Sequence, residues 1–316
     1  FVLKQSINVQ NMKKTLLGVI LLCLCSFIFA QTLNVATYNI RNDNQGDANK
    51  GNGWATRCTV IANLVTYNDF DIWGSQEVKH NQLIDLLDAL PQYSYVGVGR
   101  DDGKTEGEYA PIFFKKDKYK VLKSGHFWMA EKTDEPNKGW DAALPRICTW
   151  VQLKETKGKL KFWFFNLHMD HVGVIAREES AKLVLTKIKE MCGNDPVILT
   201  GDFNVDQTHK SYTLLSTSGI LTDSYDRATV RYALNGTFNA FKPDLLTSSR
   251  IDHIFVSPSM SVERYGVLTD TYRTPRDGEN NIKTGDFPKE YSFNGCDIRL
   301  PSDHFPVSVK LIYKKK

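Results

Sequence analysis

The stretch Val197-Ile198-Leu199-Thr200-Gly201-Asp202-Phe203-Asn204 predicts how this chain folds and where its chemistry lies. Its apolar first half is typical of a strand that is buried on both faces. Gly201 permits close approach, and a carboxylate and an amide then follow two residues apart. In α/β proteins, sites collect at the carboxyl ends of such strands. We therefore expect Asp202 to hold or deprotonate an attacking water and Asn204 to steady a phosphate; an Asx-type turn is the alternative.

Other segments repeat this placement of polar groups at predicted strand ends: Asn39, Gln76-Glu77, Asn166-Leu167-His168-Met169-Asp170 and Ser302-Asp303-His304. Asn39 offers an amide oxygen and Glu77 a carboxylate, which suit an oxygen-ligated divalent cation. Each also has a plainer interpretation, because Asn at a strand end forms turns and Glu favours helix starts.

Two histidines are candidates for the chemical step. His168 and Asp170 follow an apolar strand, and His168 suits donation to a phosphoryl oxygen unless it is a structural histidine. Asp252 opens another apolar strand, and a buried carboxylate needs a charged or donor partner, for which His304 is the candidate. An Asp-His pair fixes the imidazole tautomer, and Asp303 would set this base beside the metal.

Together these groups supply a cation site, a water-aligning carboxylate and donors for an oxyanion, which are the parts that phosphoester hydrolysis requires. Arg100 and Arg146 are candidates for contacts with the substrate, since a guanidinium matches phosphate geometry; pairing with local acids is the alternative for each. We place Asp170 in the same substrate-binding group. The sequence thus predicts metal-assisted hydrolysis of a phosphoester.

The organisation of the chain favours an α/β fold. Residues 31–316 contain no low-complexity stretch or internal repeat, so we expect a single catalytic domain. Helical spacing of apolar residues in Arg57–Val65 and Lys79–Leu90 alternates with apolar strands, whereas Tyr93–Leu167 is typical of antiparallel strands. This mixture predicts two sheets packed face to face, with helices outside.

Residues 1–30 are expected to be upstream residues plus a signal peptide. Met12-Lys13-Lys14 precedes an apolar run that ends at Ala30 and is short for a bilayer span. The mature chain would then be exported, to the periplasm or the extracellular space. Its charge would be +1, because three of the 40 basic side chains and none of the 36 acids are removed. This near-neutral charge disfavours duplex DNA as a substrate.

Four of the six cysteines lie beyond the leader, and their spacing is not that of a zinc site. They are either buried thiols or partners in disulfides. Their positions are Cys58, Cys148, Cys192 and Cys296.

The ordered series of motifs resembles the endonuclease/exonuclease/phosphatase superfamily, and within it a poorly characterised bacterial exported branch. The branch is indicated by the accessory segments at residues 99–103, 107–109 and 139–146, which include Arg100, Glu108 and Arg146. The resemblance implies a four-layer α/β/β/α sandwich with two mixed, mainly antiparallel sheets. It also implies Mg²⁺ or Mn²⁺ held chiefly at Glu77, with Asn39 adjacent. The remaining implied roles are His304 supported by Asp252, Asp202 aligning the water, and Asn204 and His168 on the phosphate.

One position departs from this pattern. Residue 41 is Arg, where the abasic-site endonucleases of the superfamily carry an acid associated with the metal. Metal affinity or substrate class is expected to differ accordingly, and the roles of Asp202 and His304 as general base remain interchangeable.

Three hypotheses follow for function. The first is an exported, Mg²⁺-dependent phosphodiesterase or phosphatase, monomeric, acting on a small molecule or single-stranded nucleic acid. The second is a sphingomyelinase-type phospholipase, in which Phe127-Trp128-Met129 forms a tip that dips into a membrane, although such residues in a strand are more often core. The third is a phosphate-binding module without turnover.

Overall fold

The computed structural model describes residues 31–232, 235–275 and 296–313. The predicted leader at residues 1–30 lies outside these ranges. The strands are β1 (Gln31–Asn39), β2 (Ile72–Gln76), β3 (Tyr93–Val96), β4 (Ile112–Lys115), β5 (Tyr119–Trp128), β6 (Ile147–Glu155), β7 (Lys161–His168), β8 (Val197–Asp202), β9 (Thr222–Asp223), β10 (Val230–Tyr232), β11 (Asp252–Val256), β12 (Met260–Val267), β13 (Tyr272–Pro275), β14 (Cys296–Arg299) and β15 (Val307–Tyr313). The helices are α1 (Gln45–Ala48), α2 (Trp54–Tyr67), α3 (His80–Ala89), α4 (Val174–Cys192), α5 (Lys210–Ser216) and α6 (Ser224–Arg227).

Two large mixed sheets form the centre of the fold. One has the strand order β10-β12-β15-β1-β2-β4-β3, and the other has the order β5-β6-β7-β8-β11-β9. Most neighbours are antiparallel, but β1 runs parallel to β2, β7 runs parallel to β8, and β10 runs parallel to β12. Because the carboxyl ends of parallel neighbours meet at one edge, the β1–β2 and β7–β8 pairs bring their terminal polar residues together.

The apolar core lies in three layers. Between the sheets, β1 and β7 contribute Leu33, Val35, Phe162 and Phe164, all fully buried. The outer face of the first sheet packs against α2 and α3, and that of the second sheet packs against α4 and α5. This arrangement of helices, sheet, sheet and helices confirms the predicted α/β sandwich.

The two sheets approach each other closely near the site. A Cβ at Gly74 in β2 would overlap Asn166 Oδ1 and Thr200 Oγ1 of the opposite sheet, so glycine is required there. Gln76 Nε2 donates to Asn166 Oδ1 at 2.7 Å across the same gap. Asn166 therefore joins the sheets, and this contact holds the ends of β2 and β7 side by side.

The structure decides between the two interpretations of the apolar run Phe127-Trp128-Met129. The core interpretation is confirmed and the exposed tip is wrong, because these residues are 4%, 3% and 1% exposed; the first two end β5 and Met129 follows directly. The indole of Trp128 donates to the Arg100 carbonyl at 2.8 Å. These residues belong to the core because β5, which the sequence pattern did not predict, extends the second sheet. Within the described ranges, no helix has the length and apolarity to cross a membrane.

Candidate active site

A cavity of about 520 Å³ opens at the edge where the strand ends of both sheets meet. Eight residues that the sequence singled out line it: Glu77, Arg100, Arg146, His168, Asp202, Asn204, Asp303 and His304. Asn39 and Asp252 lie directly behind this lining. The structure therefore gathers residues from distant parts of the chain around one space.

Asn39 is the central contact of this group. It is fully buried at the end of β1, and its Nδ2 lies 3.1 Å from Glu77 Oε1 and 3.0 Å from Asp202 Oδ2. The same atom is 3.4 Å from His304 Nε2. Asn39 thus connects the candidate cation ligand with both candidate bases.

His304 is held from behind by Asp252. The distance from His304 Nδ1 to Asp252 Oδ2 is 2.9 Å, and both side chains are buried. Burial lowers the pKa of His304, but the carboxylates of Asp252 and Asp202 outweigh it and raise that pKa well above its ordinary value. One atom each of Asp202, Asp252 and His304 lies within 4.8 Å of the others. Within this trio, His304 Nδ1 is at hydrogen-bond distance from Asp252, whereas its Nε2 lies 3.7 Å from Asp202 Oδ2.

Asp202 lies between the two histidines. Its Oδ2 is 3.5 Å from His168 Nε2 and 3.7 Å from His304 Nε2, and its Oδ1 accepts from the backbone of Asn204 at 2.9 Å. Burial, followed by the neighbouring Asp252 carboxylate, raises the pKa of Asp202 to about 7. A buried, oriented carboxylate of this kind suits the alignment of a water molecule.

Glu77 and Asp303 add two carboxylates to the lining of the cavity. Glu77 adopts a left-handed backbone (φ 60°), a strained conformation that persists only where its surroundings impose it. Its Oε2 accepts from Asn42 Nδ2 at 2.9 Å. Burial raises the pKa of Asp303, which indicates a buried acid in need of positive charge. The two carboxylates offer oxygen ligands that fit a hard divalent cation, whereas Asn39 Oδ1, which we expected to join them, accepts from the Arg41 backbone N–H at 3.0 Å.

Arg41 lies beside the carboxylates of Asp47, Glu77 and Asp303, a placement that the sequence did not predict. Its Nε lies 2.8 Å from Asp47 Oδ2 and 3.6 Å from Asp303 Oδ2, and its Nη1 lies 3.6 Å from Glu77 Oε2. The guanidinium therefore compensates three carboxylates at once. Only its departure from the superfamily pattern signalled this position.

The basic side of the cavity contains Arg100 and Arg146. Arg100 Nη1 pairs with Glu108 Oε2 at 2.7 Å, and Arg146 Nε pairs with Asp170 Oδ2 at 3.2 Å. We expected Asp170 to contact substrate, but it does not line the cavity. Its carboxylate is occupied by the Val172 and Gly173 backbone N–H groups and by Arg146. It is therefore placed to position Arg146 from behind.

The sequence interpretation missed further cavity residues. Glu108, His171 and Phe238 all line the space. Phe238 is 40% exposed, and its ring packs edge-on against His304 with centroids 5.1 Å apart. Glu108 lies in one of the accessory segments noted above, whereas nothing in the sequence around Phe238 marks it as a site residue.

With the fold and site established, comparison with known proteins identifies the class. Residues 36–304 match the sequence model of the Endonuclease/Exonuclease/phosphatase family. The chain belongs to this family, whose members include phosphoesterases and nucleases.

Particular relatives give a closer comparison. A crystal structure of an endonuclease/exonuclease/phosphatase family protein from Bacteroides thetaiotaomicron is 53% identical, with a TM-score of 0.84, covering 90% of this chain and 99% of that one. A mannosyl-6-phosphatase from the same species is also 53% identical, with a TM-score of 0.82, covering 89% of this chain and 100% of that one. An uncharacterised protein of Acanthamoeba polyphaga mimivirus is 27% identical and covers 81% of this chain and 91% of its own.

Proposed function

We propose that this protein is an exported hydrolase of phosphomonoesters that depends on Mg²⁺ or Mn²⁺ and acts on sugar phosphates. The observation that carries the proposal is the convergence of Glu77, Asp202 and His304 on the single amide of Asn39. The sugar-phosphate substrate class is supported by the similarity to a mannosyl-6-phosphatase that is 53% identical.

Glu77 and Asp303 would hold the divalent cation through carboxylate oxygens, and Asn39 would orient Glu77 by donating to its Oε1. When bound, such an ion neutralises phosphate charge and promotes ionisation of water. Arg41 would share the same acids, so it tempers the negative charge that the cation meets.

The remaining side chains would act on the water and the phosphate. Asp202, fixed by Asn39 and by the Asn204 backbone, would align the water and accept its proton. His168 and the Asn204 amide would donate to phosphoryl oxygens. His304, oriented by Asp252, would stabilise the charge that develops on the phosphate.

The mouth of the cavity suits a hydroxyl-rich leaving group. Phe238 offers an exposed aromatic face, while Lys50 and Asn52 add polar groups to the same lining. Recognition sites for small ligands combine an apolar wall with a few placed polar groups in this way. The sphingomyelinase-type hypothesis depended on an exposed apolar tip at Phe127-Trp128-Met129. These residues are buried, so this observation no longer supports it.

The test is a panel of sugar phosphates, nucleotides and phosphodiesters assayed with Mg²⁺, with Mn²⁺ and with a chelator. We expect hydrolysis of sugar monophosphates that the chelator abolishes, and a loss of roughly a hundredfold or more in turnover for Asp202→Asn and for His304→Ala. If no phosphoester is hydrolysed and His304→Ala alters only ligand affinity, the protein is a binding module and the proposal fails.

Export rests on the leader-like residues 1–30, and fractionation of expressing bacterial cells tests it separately. The full chain should yield a shortened protein outside the cytoplasm, whereas a chain that starts at Gln31 should remain inside. Retention of the full chain at full length in the cytoplasm would contradict export.

A further inference from the structure

Two buried guanidinium groups share the wall of the cavity beside His168. Arg100 and Arg146 are only 8% and 4% exposed, yet both line the space. Two like charges in a poorly solvated wall repel one another, and the nearness of Arg100 contributes to lowering the pKa of Arg146 after the larger effect of burial. A protein keeps such an arrangement where an anion is available to offset it.

Each guanidinium is held by an acid on one edge, which leaves other donors unused. Arg100 Nη1 pairs with Glu108. Arg146 Nε pairs with Asp170, and Arg146 Nη2 lies 2.9 Å from His171 Nδ1. Arg100 Nε and Arg146 Nη1 have no hydrogen-bond partner among the residues that the structure describes, although Asp101 Oδ1 lies 3.8 Å from Arg100 Nε. Buried donors without an acceptor are costly, more so when they are charged.

His168 belongs to the same group of unused donors. Its Nδ1 also has no partner within the described part of the chain. Burial lowers its pKa well below the ordinary value, and the positive charges of Arg146 and Arg100 lower it further. The imidazole is therefore neutral, and its unpartnered Nδ1 is a further donor near the two guanidinium groups.

We propose that Arg100 and Arg146 form a pocket for the terminal oxygens of a dianionic phosphate group and thereby select phosphomonoesters over phosphodiesters. This inference rests on the proposed phosphoester hydrolysis and specifies how the same site chooses its substrate. Small rotations of the two side chains turn their unused N–H groups toward an oxyanion seated beside His168.

Charge favours a monoester in this pocket. A monoester dianion offers a second negative charge to the guanidinium pair, whereas a diester has one charge and a further organic group. That organic group would replace one of the oxyanions that the guanidiniums bind.

The experiment compares two substrates with one leaving group, 4-nitrophenyl phosphate and methyl 4-nitrophenyl phosphate. For Arg100→Met and for Arg146→Met, we expect kcat/KM for the monoester to fall roughly tenfold to a hundredfold, as expected for a lost charge-assisted contact. The diester value should change by less than about threefold. Arg100→Lys, which retains the charge but not the planar fork, should give an intermediate loss.

Controls separate the pocket from general damage. Arg264→Met removes an exposed arginine outside the cavity and should leave both substrates unaffected. Inorganic phosphate should inhibit the Arg100 and Arg146 variants less strongly than the wild type. If Arg146→Met fails to fold, Arg100→Met alone decides whether the pocket exists. Arg100→Met should fold, because Glu108, the acid that loses its partner in this variant, lines the open cavity.

The outcomes distinguish the two proposals. Equal losses for the monoester and the diester in Arg100→Met, with unchanged phosphate inhibition, overturn the pocket and leave the hydrolase intact. Absence of hydrolysis of either substrate, and of the sugar phosphate panel, by the wild-type protein with divalent metal overturns the proposed function itself.

Discussion

His304 Nδ1 lies 2.9 Å from Asp252 Oδ2, and this contact joins the first residue of β11 to the segment that leads into β15. The strands β11 and β15 belong to different sheets, so the sandwich itself holds the imidazole in place. Asp252 also pairs with Asp202 in the β8–β11 register, which puts both acids beside the same ring. The relationship explains why a buried histidine retains a raised pKa.

Replacing Asp252 tests whether this contact orients His304. Asp252→Asn preserves the size of the side chain but removes the charge that orients the ring and helps to raise its pKa. We expect kcat to fall by roughly a hundredfold or more while KM changes little. Steady-state kinetics with the preferred phosphoester, alongside the exposed variant Asp226→Asn as a control, measures the effect. Equal activity in the two variants would show that the contact is only structural.

Much of this fold was predictable because its strands carry strong local signals. The apolar runs that end at Gln76, Leu167 and Thr200 set the strands, and their polar ends predicted which edge carries the site. Helical spacing in the chain likewise located α2 and α3. The strand β5 was not predicted because apolar and polar residues alternate only weakly along it, and five successive residues after Tyr119 are exposed. Its pairing with β6, rather than its own pattern, makes it a strand.

The site was predictable only where single residues carry chemistry at a strand end. Asn39 and Asp202 occupy such positions, and the structure brings them within 3.0 Å of each other. Arg41, Glu108 and Phe238 were not assigned because their importance comes from tertiary neighbours. Asp170 was assigned to the substrate because sequence spacing cannot show that backbone N–H groups occupy its carboxylate.

Glu77→Gln tests the proposed cation site. The amide retains one oxygen but loses the negative charge, so we expect the Mg²⁺ concentration for half-maximal activity to rise by roughly tenfold or more. Isothermal titration with Mn²⁺ gives a measure that is independent of turnover. Glu263→Gln, which affects a surface ion pair with Lys310, is the matched control. An unchanged metal affinity would place the cation elsewhere.

Arg41→Gln tests the compensation of the three acids. Without the guanidinium, Asp47, Glu77 and Asp303 lose their shared positive partner, and a divalent cation should replace part of its effect. We expect Tm to fall with chelator present and to recover substantially with Mg²⁺, together with tighter Mn²⁺ binding than in the wild type. Differential scanning calorimetry under both conditions checks this. An equal loss of Tm with and without Mg²⁺ would contradict the compensating role.

Asp170→Asn tests the support of Arg146 through pH. Burial raises the pKa of Asp170, but hydrogen bonds from Gly173 and Val172 and the charge of Arg146 lower it more, to well below its ordinary value. A carboxyl whose pKa is depressed by folding stabilises the protein at any pH above the pKa of the unfolded chain, which is about 4. This stabilisation is lost as pH falls toward the pKa of the folded protein. The free energy of unfolding of Asp170→Asn should therefore be lower than that of the wild type at pH 7, and the gap should narrow below about pH 4. Urea titrations across this pH range measure the difference in unfolding free energy between the two proteins. A difference that does not change with pH would refute the role of Asp170 as a charged partner of Arg146.

Substitutions of Asn204 can distinguish backbone strain from a role in the reaction. The residue has a left-handed backbone, with φ of 51°, and it also lines the cavity. Asn204→Gly accepts this backbone without strain, whereas Asn204→Ala should lose about 1 kcal/mol more in unfolding free energy. Both variants lack the amide that donates to the Met169 carbonyl and, as proposed, to the phosphate, so both should lose roughly tenfold or more in kcat/KM. Parallel urea unfolding and kinetics on the two variants distinguish the effects. Full activity in Asn204→Gly would mean that this residue serves the turn alone, and that the phosphate is bound by its neighbours.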